Sequence, residues 1–123
     1  FLECTLDETT GEPLTALAHS GARRVFSAQT ARALRELLAS VVTEGTGHEA
    51  APTEGTAAGK TGTAQTGQFA AGKELKNYWF AGFYPARNPR YTIVVLQDGQ
   101  TGPSRTSAAI FAQVCDALDA AGE

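Results

Sequence analysis

The chain has 123 residues, 42% of them hydrophobic and 19% charged, enough for the modest core of one domain or part of a larger one. Its net charge of -3 gives no support for nucleic-acid binding, which needs a basic face, and no apolar run approaches the ~18 residues of a membrane span. Methionine is absent and the first residue is Phe1, so a piece of a longer chain is expected rather than a processed mature protein.

Residues 1–26 alternate weakly: Phe1, Cys4 and Leu6 precede a polar turn from Asp7 to Pro13, and Leu14 and Leu17 follow. An irregular arm or a short hairpin is predicted there. Residues 27–43 predict a helix. Ser27 is placed to cap it, and Leu34, Leu37, Leu38, Val41 and Val42 form one apolar stripe at helical spacing. The helix is expected to end near Gly45-Thr46-Gly47, where a glycine can take the left-handed capping conformation. Residues 48–55, with Pro52 and Gly55, read as a loop. Residues 56–65 are small and threonine-rich, and periodicity alone does not assign them. Residues 66–76 contain Gly67 and Gly72 and predict a mobile turn.

Residues 78–84, Tyr-Trp-Phe-Ala-Gly-Phe-Tyr, and residues 91–96, Tyr-Thr-Ile-Val-Val-Leu, are apolar on both alternating faces. Such runs suit strands covered on both sides. The connector from Pro85 to Arg90 is short enough for a hairpin, so the two strands are expected to pair antiparallel, with Arg87 and Arg90 at a solvated tip. A last helix is expected from Ser104 or Ser107, with Ile110, Phe111, Val114, Cys115 and Leu118 on its apolar face. Trp79, Phe80 and Phe83 read as core. Two amphipathic helices and an antiparallel sheet predict a helix–sheet–helix sandwich of the α+β type.

Cys4 and Cys115, near opposite ends, do not make a disulfide framework. Cys115 predicts a buried thiol whose one local charge, Asp116, raises its pKa. His19 and His48 are far apart and read as loop residues. No cluster has metal-ligand spacing, so neither metal nor cofactor is expected.

The chemistry concentrates at Ala58-Gly59-Lys60-Thr61-Gly62-Thr63-Ala64-Gln65. A phosphate-binding loop would need G-x-x-x-x-G-K-S/T. Counting back from Gly59 gives Glu54 where the first glycine should stand, and the residues after Lys60 are poor helix sequence. An active-site strand fits better. Lys60 supplies charge, Gly62 lets a substrate approach the backbone, the hydroxyls of Thr61 and Thr63 suit a carboxylate, and the Thr63 N–H suits an oxyanion.

Three runs extend the motif: Val-Val-x-Glu-Gly-Thr-Gly-His at 41–48, the Lys-Thr-Gly-Thr segment at 58–65, and Trp-Phe-Ala-Gly-Phe-Tyr-Pro-Ala at 79–86. Their order and spacing over residues 24–120 resemble the C-terminal part of penicillin-binding protein transpeptidase domains, closest to the class B, monofunctional D,D-transpeptidases. The resemblance implies part of the fold shared with serine β-lactamases, an antiparallel sheet between helices. It makes residues 56–65, 77–85 and 91–98 strands, residues 104–120 the helix across the sheet, and residues 1–26 an arm. It implies Lys60 and Thr63 as catalytic residues, through proton transfer and half of an oxyanion hole. Thr61, Gly62 and Thr63 would bind substrate, either peptidoglycan stem peptides or β-lactams.

The nucleophile motif Ser-x-x-Lys and its companion Ser-x-Asn occur nowhere in the 123 residues. The expectation is therefore a C-terminal fragment that is inactive alone. The missing N-terminal part would supply the serine and a membrane anchor, putting the parent at the extracytoplasmic face. An exposed strand edge would invite self-association. A non-catalytic binding or assembly module with the same fold, and a serine β-lactamase fragment, stand as alternatives.

Overall fold

A computed structural model describes residues 4–7, 9–16 and 23–122. His19 therefore lies outside the described residues. Strands β1 (Cys4–Leu6) and β2 (Pro13–Ala16) pair antiparallel as a small separate hairpin. Its turn is organised by Asp7, whose Oδ1 accepts from the N–H groups of Thr9 and Thr10 at 2.9 and 2.8 Å. Those backbone donors hold the Asp7 carboxyl below its ordinary pKa.

Helix α1 (Ala28–Thr43) starts at Ser27, whose Oγ accepts from Thr30 N–H at 3.0 Å. Of its apolar stripe only Val42 is buried, and Leu37 stays 63% exposed. The helix end differs from the expected left-handed glycine cap, because neither Gly45 nor Gly47 has positive φ. Both are glycine for lack of room. A Cβ at Gly45 would sit 2.9 Å from Val41 backbone atoms, and one at Gly47 would sit 3.0 Å from Val41 Cγ1 and 3.2 Å from the Phe80 ring.

After a 3-10 turn at His48–Ala50 come β3 (Ala58–Ala70), β4 (Lys73–Tyr84) and β5 (Tyr91–Gln100), then helix α2 (Ser107–Ala120). Both strand pairings are antiparallel, in the order β3-β4-β5. The mobile turn expected over 66–76 is instead ordered strand. A two-residue connection, Ala71 (φ 50) and Gly72 (φ 77), joins β3 to β4. Positive φ at both central residues matches the right-handed twist of a hairpin. Gly67 (φ 70) lies where the register shifts between Gln65 and Phe69. The glycines that suggested a loop mark a turn and a bulge.

Residues paired across strands share a face, so Thr61, Thr63, Tyr78, Phe80, Gly82, Ile93 and Val95 point to one side. Helix α2 covers that side. Phe80 and Phe111 are fully buried with ring centroids 4.7 Å apart, and truncating either would cost about 3–5 kcal/mol. Gly82 permits this approach, since a Cβ there would lie 3.0 Å from the Phe111 ring and 2.5 Å from the Ala58 carbonyl. Lys60, Trp79, Phe83, Val94 and Leu96 point to the other side. Leu34 and Leu38 of α1 line a shallow groove there together with Phe83 and Thr92. Coverage stops at that point, leaving Val94 57% and Leu96 44% exposed. The apolar run of β5 predicted cover on both faces, and among the described residues only one face has it.

Candidate active site

Lys60, Thr61, Gly62 and Thr63 are consecutive on β3, which is an edge strand among the described residues. This excludes the phosphate-loop reading, whose lysine must open a helix. Alternation sends Lys60 and Gly62 to one face and Thr61 and Thr63 to the other. Lys60 turns back around the edge. Its Nζ donates to the Thr61 carbonyl at 3.1 Å and to Thr61 Oγ1 at 3.0 Å. The Thr61 carbonyl is thus directed away from β4. In an antiparallel ladder a residue's N–H and C=O point the same way, and the direction repeats two residues on. The Thr63 N–H therefore shares the open edge with the Lys60 ammonium.

Gly62 differs from Gly59 and Gly82, the two strand glycines packed against the core. A Cβ there would meet only the Trp79 side chain, at 3.5 Å from Cβ and 4.0 Å from Cγ, an ordinary contact. At Gly59 it would lie 2.6 Å from Phe80 Cε1 and 2.7 Å from the Ala81 carbonyl. Gly59 is required by the packing of the chain itself, whereas Gly62 is not.

Thr61, Gly62 and Thr63 form one wall of a cleft of ≈ 250 Å³. Tyr78 and Trp79 of β4, Thr46 and Glu49 from the segment after α1, and Pro103, Thr106 and Ser107 before and at the start of α2 complete it. Trp79, expected in the core, is 38% exposed and lines this cleft. The start of α2 is capped by Thr106. Its Oγ1 accepts from Ala109 N–H at 3.1 Å and donates to Glu49 Oε2 at 2.7 Å. Ser107 is buried; its Oγ donates to the Tyr78 carbonyl at 2.9 Å, tying the helix start to the strand beneath the cleft.

The entry to β3 is anchored from behind by α2. Asp116 Oδ1 accepts from Thr53 N–H at 2.7 Å and Oδ2 from Thr53 Oγ1 at 3.1 Å. The Tyr84 hydroxyl donates to the Asp119 carboxylate and lies 3.3 Å from the Glu54 carbonyl. That bond, with burial second, pushes the Tyr84 phenol from 10.0 up to about 12. Burial, reinforced by Asp116 and Asp119, pushes the Cys115 thiol from 9.0 up to about 11. Cys115 is therefore an inert core thiol, and the sequence reading missed Asp119, one helical turn on, as a second source of negative potential.

The sequence singled out Lys60 to Thr63, and the fold adds Thr46, Glu49 and Thr106 around them. The tight spacing of Gly45, Thr46 and Gly47 was the available signal for Thr46. Nothing local marked Glu49 or Thr106. Among the described residues no group of three or more His, Cys, Asp or Glu side chains is placed to hold a metal ion, and no helix is long and apolar enough to cross a membrane.

Comparison with known proteins identifies the fold and the family. Residues 9–116 match the family model described as the penicillin binding protein transpeptidase domain. The chain is 38% identical over 110 residues to penicillin-binding protein PbpB of Mycolicibacterium smegmatis, covering 77% of this chain and 17% of that protein. It is 39% identical over 90 residues to the probable peptidoglycan D,D-transpeptidase PenA of Neisseria meningitidis serogroup A, covering 70% of this chain and 15% of that protein. The chain thus spans under a fifth of these relatives' length. Among solved structures, the apo transpeptidase domain of Burkholderia pseudomallei penicillin-binding protein 3 superposes with a TM-score of 0.66 at 34% identity, over 89% of this chain and 37% of that one. A match over most of the chain, in sequence and in fold, carries the conclusion: the chain belongs to the penicillin-binding protein transpeptidase domain family.

Proposed function

We propose that residues 60–63 form the substrate-recognising wall of a class B peptidoglycan D,D-transpeptidase. One observation carries this reading: in a chain of this family, the Lys60 ammonium and the Thr63 N–H share an open strand edge, beside a cleft lined by Thr61 and Thr63.

The reaction is acyl transfer through a serine. Its oxygen attacks the carbonyl of the penultimate D-Ala of a stem peptide. The tetrahedral intermediate collapses by breaking the C–N bond, and the terminal D-Ala leaves with its nitrogen protonated. An amine of a second stem peptide then attacks the ester and returns the proton to the serine. A β-lactam acylates the same serine. In this scheme the Thr61 and Thr63 hydroxyls hold the terminal carboxylate. The Thr63 N–H donates to the developing oxyanion, where one such donor is worth roughly 100- to 1000-fold in rate. Gly62 leaves room for the peptide to lie along the edge. Lys60 supplies positive charge and assists proton transfer through the hydroxyl of a Ser-x-Asn serine.

Neither Ser-x-x-Lys nor Ser-x-Asn occurs in these 123 residues, so the nucleophile comes from another part of the protein. The working site lies at the extracytoplasmic face of the bacterial cell membrane, where peptidoglycan is cross-linked, held there by a segment outside these residues. The β5 edge, opposite the active-site strand β3, and the exposed Val94 and Leu96 beside it favour self-association of the isolated 123 residues, and a strictly monomeric species in sedimentation would count against this.

Fluorescent penicillin tests the reading. The isolated 123 residues should take up no covalent label, and the full-length protein should be labelled. Lys60→Ala in the full-length protein should slow labelling roughly 100-fold or more. Label on the isolated chain, or a wild-type rate for K60A, would sink it.

A further inference from the structure

We propose that Thr46, on the segment after α1, is a positioning residue that aims the Thr61 hydroxyl into the cleft; this rests on the reading of Thr61 as a carboxylate-holding residue. Thr46 Oγ1 lies 3.4 Å from Thr61 Oγ1, fifteen residues away in sequence, and either can donate. Thr61 Oγ1 already accepts from Lys60 Nζ at 3.0 Å. An ammonium only donates, and a hydroxyl has one proton and two acceptor lone pairs. When Lys60 occupies one lone pair and Thr46 the other, the Thr61 proton has to point elsewhere. The cleft shared by Thr46, Thr61, Gly62 and Thr63 is the direction left to it.

At 3.4 Å the contact is long for two hydroxyls, whose usual separation is about 2.7–2.8 Å. In the empty cleft the Thr61 proton can turn to Thr46. A bound carboxylate draws that proton to itself, and Thr46 then donates in its place. The result is a run of donors, Thr46 to Thr61 to carboxylate, in which each bond polarises the next.

The mount of Thr46 is rigid, as a positioning role requires. Gly47 N–H donates to the Val41 carbonyl at 3.0 Å. Gly45 and Gly47 both sit where a Cβ would meet Val41 at about its contact limit or closer, and Gly47 packs on the Phe80 ring of the core. The fold spends two glycines to bring residue 46 to the end of the substrate wall, and the side chain at that point is a hydroxyl.

The test is a set of acylation rates in the full-length protein. Thr46→Val, Thr46→Ser, Thr61→Val and the double variant would be compared with a penicillin carrying its free carboxylate and with the methyl ester of the same penicillin. T46V should slow acylation by the free acid about tenfold and leave the ester within about twofold. T46S, which keeps the hydroxyl, should restore the free-acid rate to within about threefold. The double variant should be no slower than T61V alone, since Thr46 acts through Thr61. Thr46→Ala serves the same comparison if valine disturbs the loop. The proposal is overturned if T46V acylates at the wild-type rate while T61V is slow, or if T46V slows acid and ester alike. A wild-type rate for T61V would instead remove the carboxylate role of Thr61, and this proposal with it.

Discussion

Gly62 separates what the fold requires from what a substrate requires. A methyl group added there meets Trp79 Cβ at 3.5 Å, which is ordinary packing. Glycine inside a strand is less stable than alanine by about 0.5–1 kcal/mol, so Gly62→Ala should raise stability by up to that amount. The same change at Gly59 forces a carbon to within 2.6 Å of Phe80 and 2.7 Å of a backbone carbonyl. Both neighbours are fixed, by the core and by the β3–β4 ladder respectively. Overpacking of this kind costs about 1–3 kcal/mol or more, so Gly59→Ala should be clearly destabilised. Equilibrium denaturation of the two variants measures the contrast directly. Function should run the opposite way for Gly62. If a peptide or β-lactam lies along the β3 edge, G62A should slow acylation by fluorescent penicillin at least tenfold, about 1.4 kcal/mol of transition-state stabilisation, without loss of fold. Two results would refute the reasoning: G62A as destabilised as G59A, or G62A acylated at the wild-type rate.

Alkaline pH should unfold the protein in a defined window. The folded state holds the Cys115 proton from 9.0 up to about 11 and the Tyr84 proton from 10.0 up to about 12, so the unfolded state releases both first. Their stability contribution is complete below about pH 9 and is lost as pH rises toward 12; a flat profile across that range would contradict the burial of Cys115 and the Tyr84–Asp119 bond. Asp119→Asn should lower the pH at which Tyr84 ionises, read from phenolate absorbance. Asp116→Ala removes the acceptor for two solvent-exposed Thr53 bonds at 2.7 and 3.1 Å and should cost about 0.5–1.5 kcal/mol in denaturant unfolding. Asp116→Asn, which keeps an oxygen acceptor, should cost less.

The candidate site was legible where it is contiguous. Lys60 to Thr63 carry their chemistry in four adjacent residues, and their failure as a phosphate loop could be counted from Glu54. Runs of Val, Ile and aromatic residues likewise exposed β4 and β5. The errors occurred where one residue type serves several purposes. Gly67 and Gly72 suggested a loose turn, yet their positive φ belongs to a bulge and a tight hairpin. Gly45 and Gly47 suggested a left-handed cap, yet they are glycine because Val41 and Phe80 leave no space. Trp79 suggested core because apolar strands are usually covered on both sides, but it is only partly covered and stays 38% exposed at the cleft. The partners Thr46–Thr61, Glu49–Thr106, Thr53–Asp116 and Tyr84–Asp119 are separated by 15 to 63 residues. No local pattern announces such pairs; they exist only once α2 lies across the sheet and residues 45–47 are pinned to α1.

The most direct test is to label the full-length protein with a penicillin and map the modified peptide. The account predicts label on a serine of a Ser-x-x-Lys outside these 123 residues, at a rate that falls when Lys60 is replaced. Label on Ser20, Ser27, Ser40, Ser104 or Ser107, or no labelling of the full-length protein at all, would contradict it.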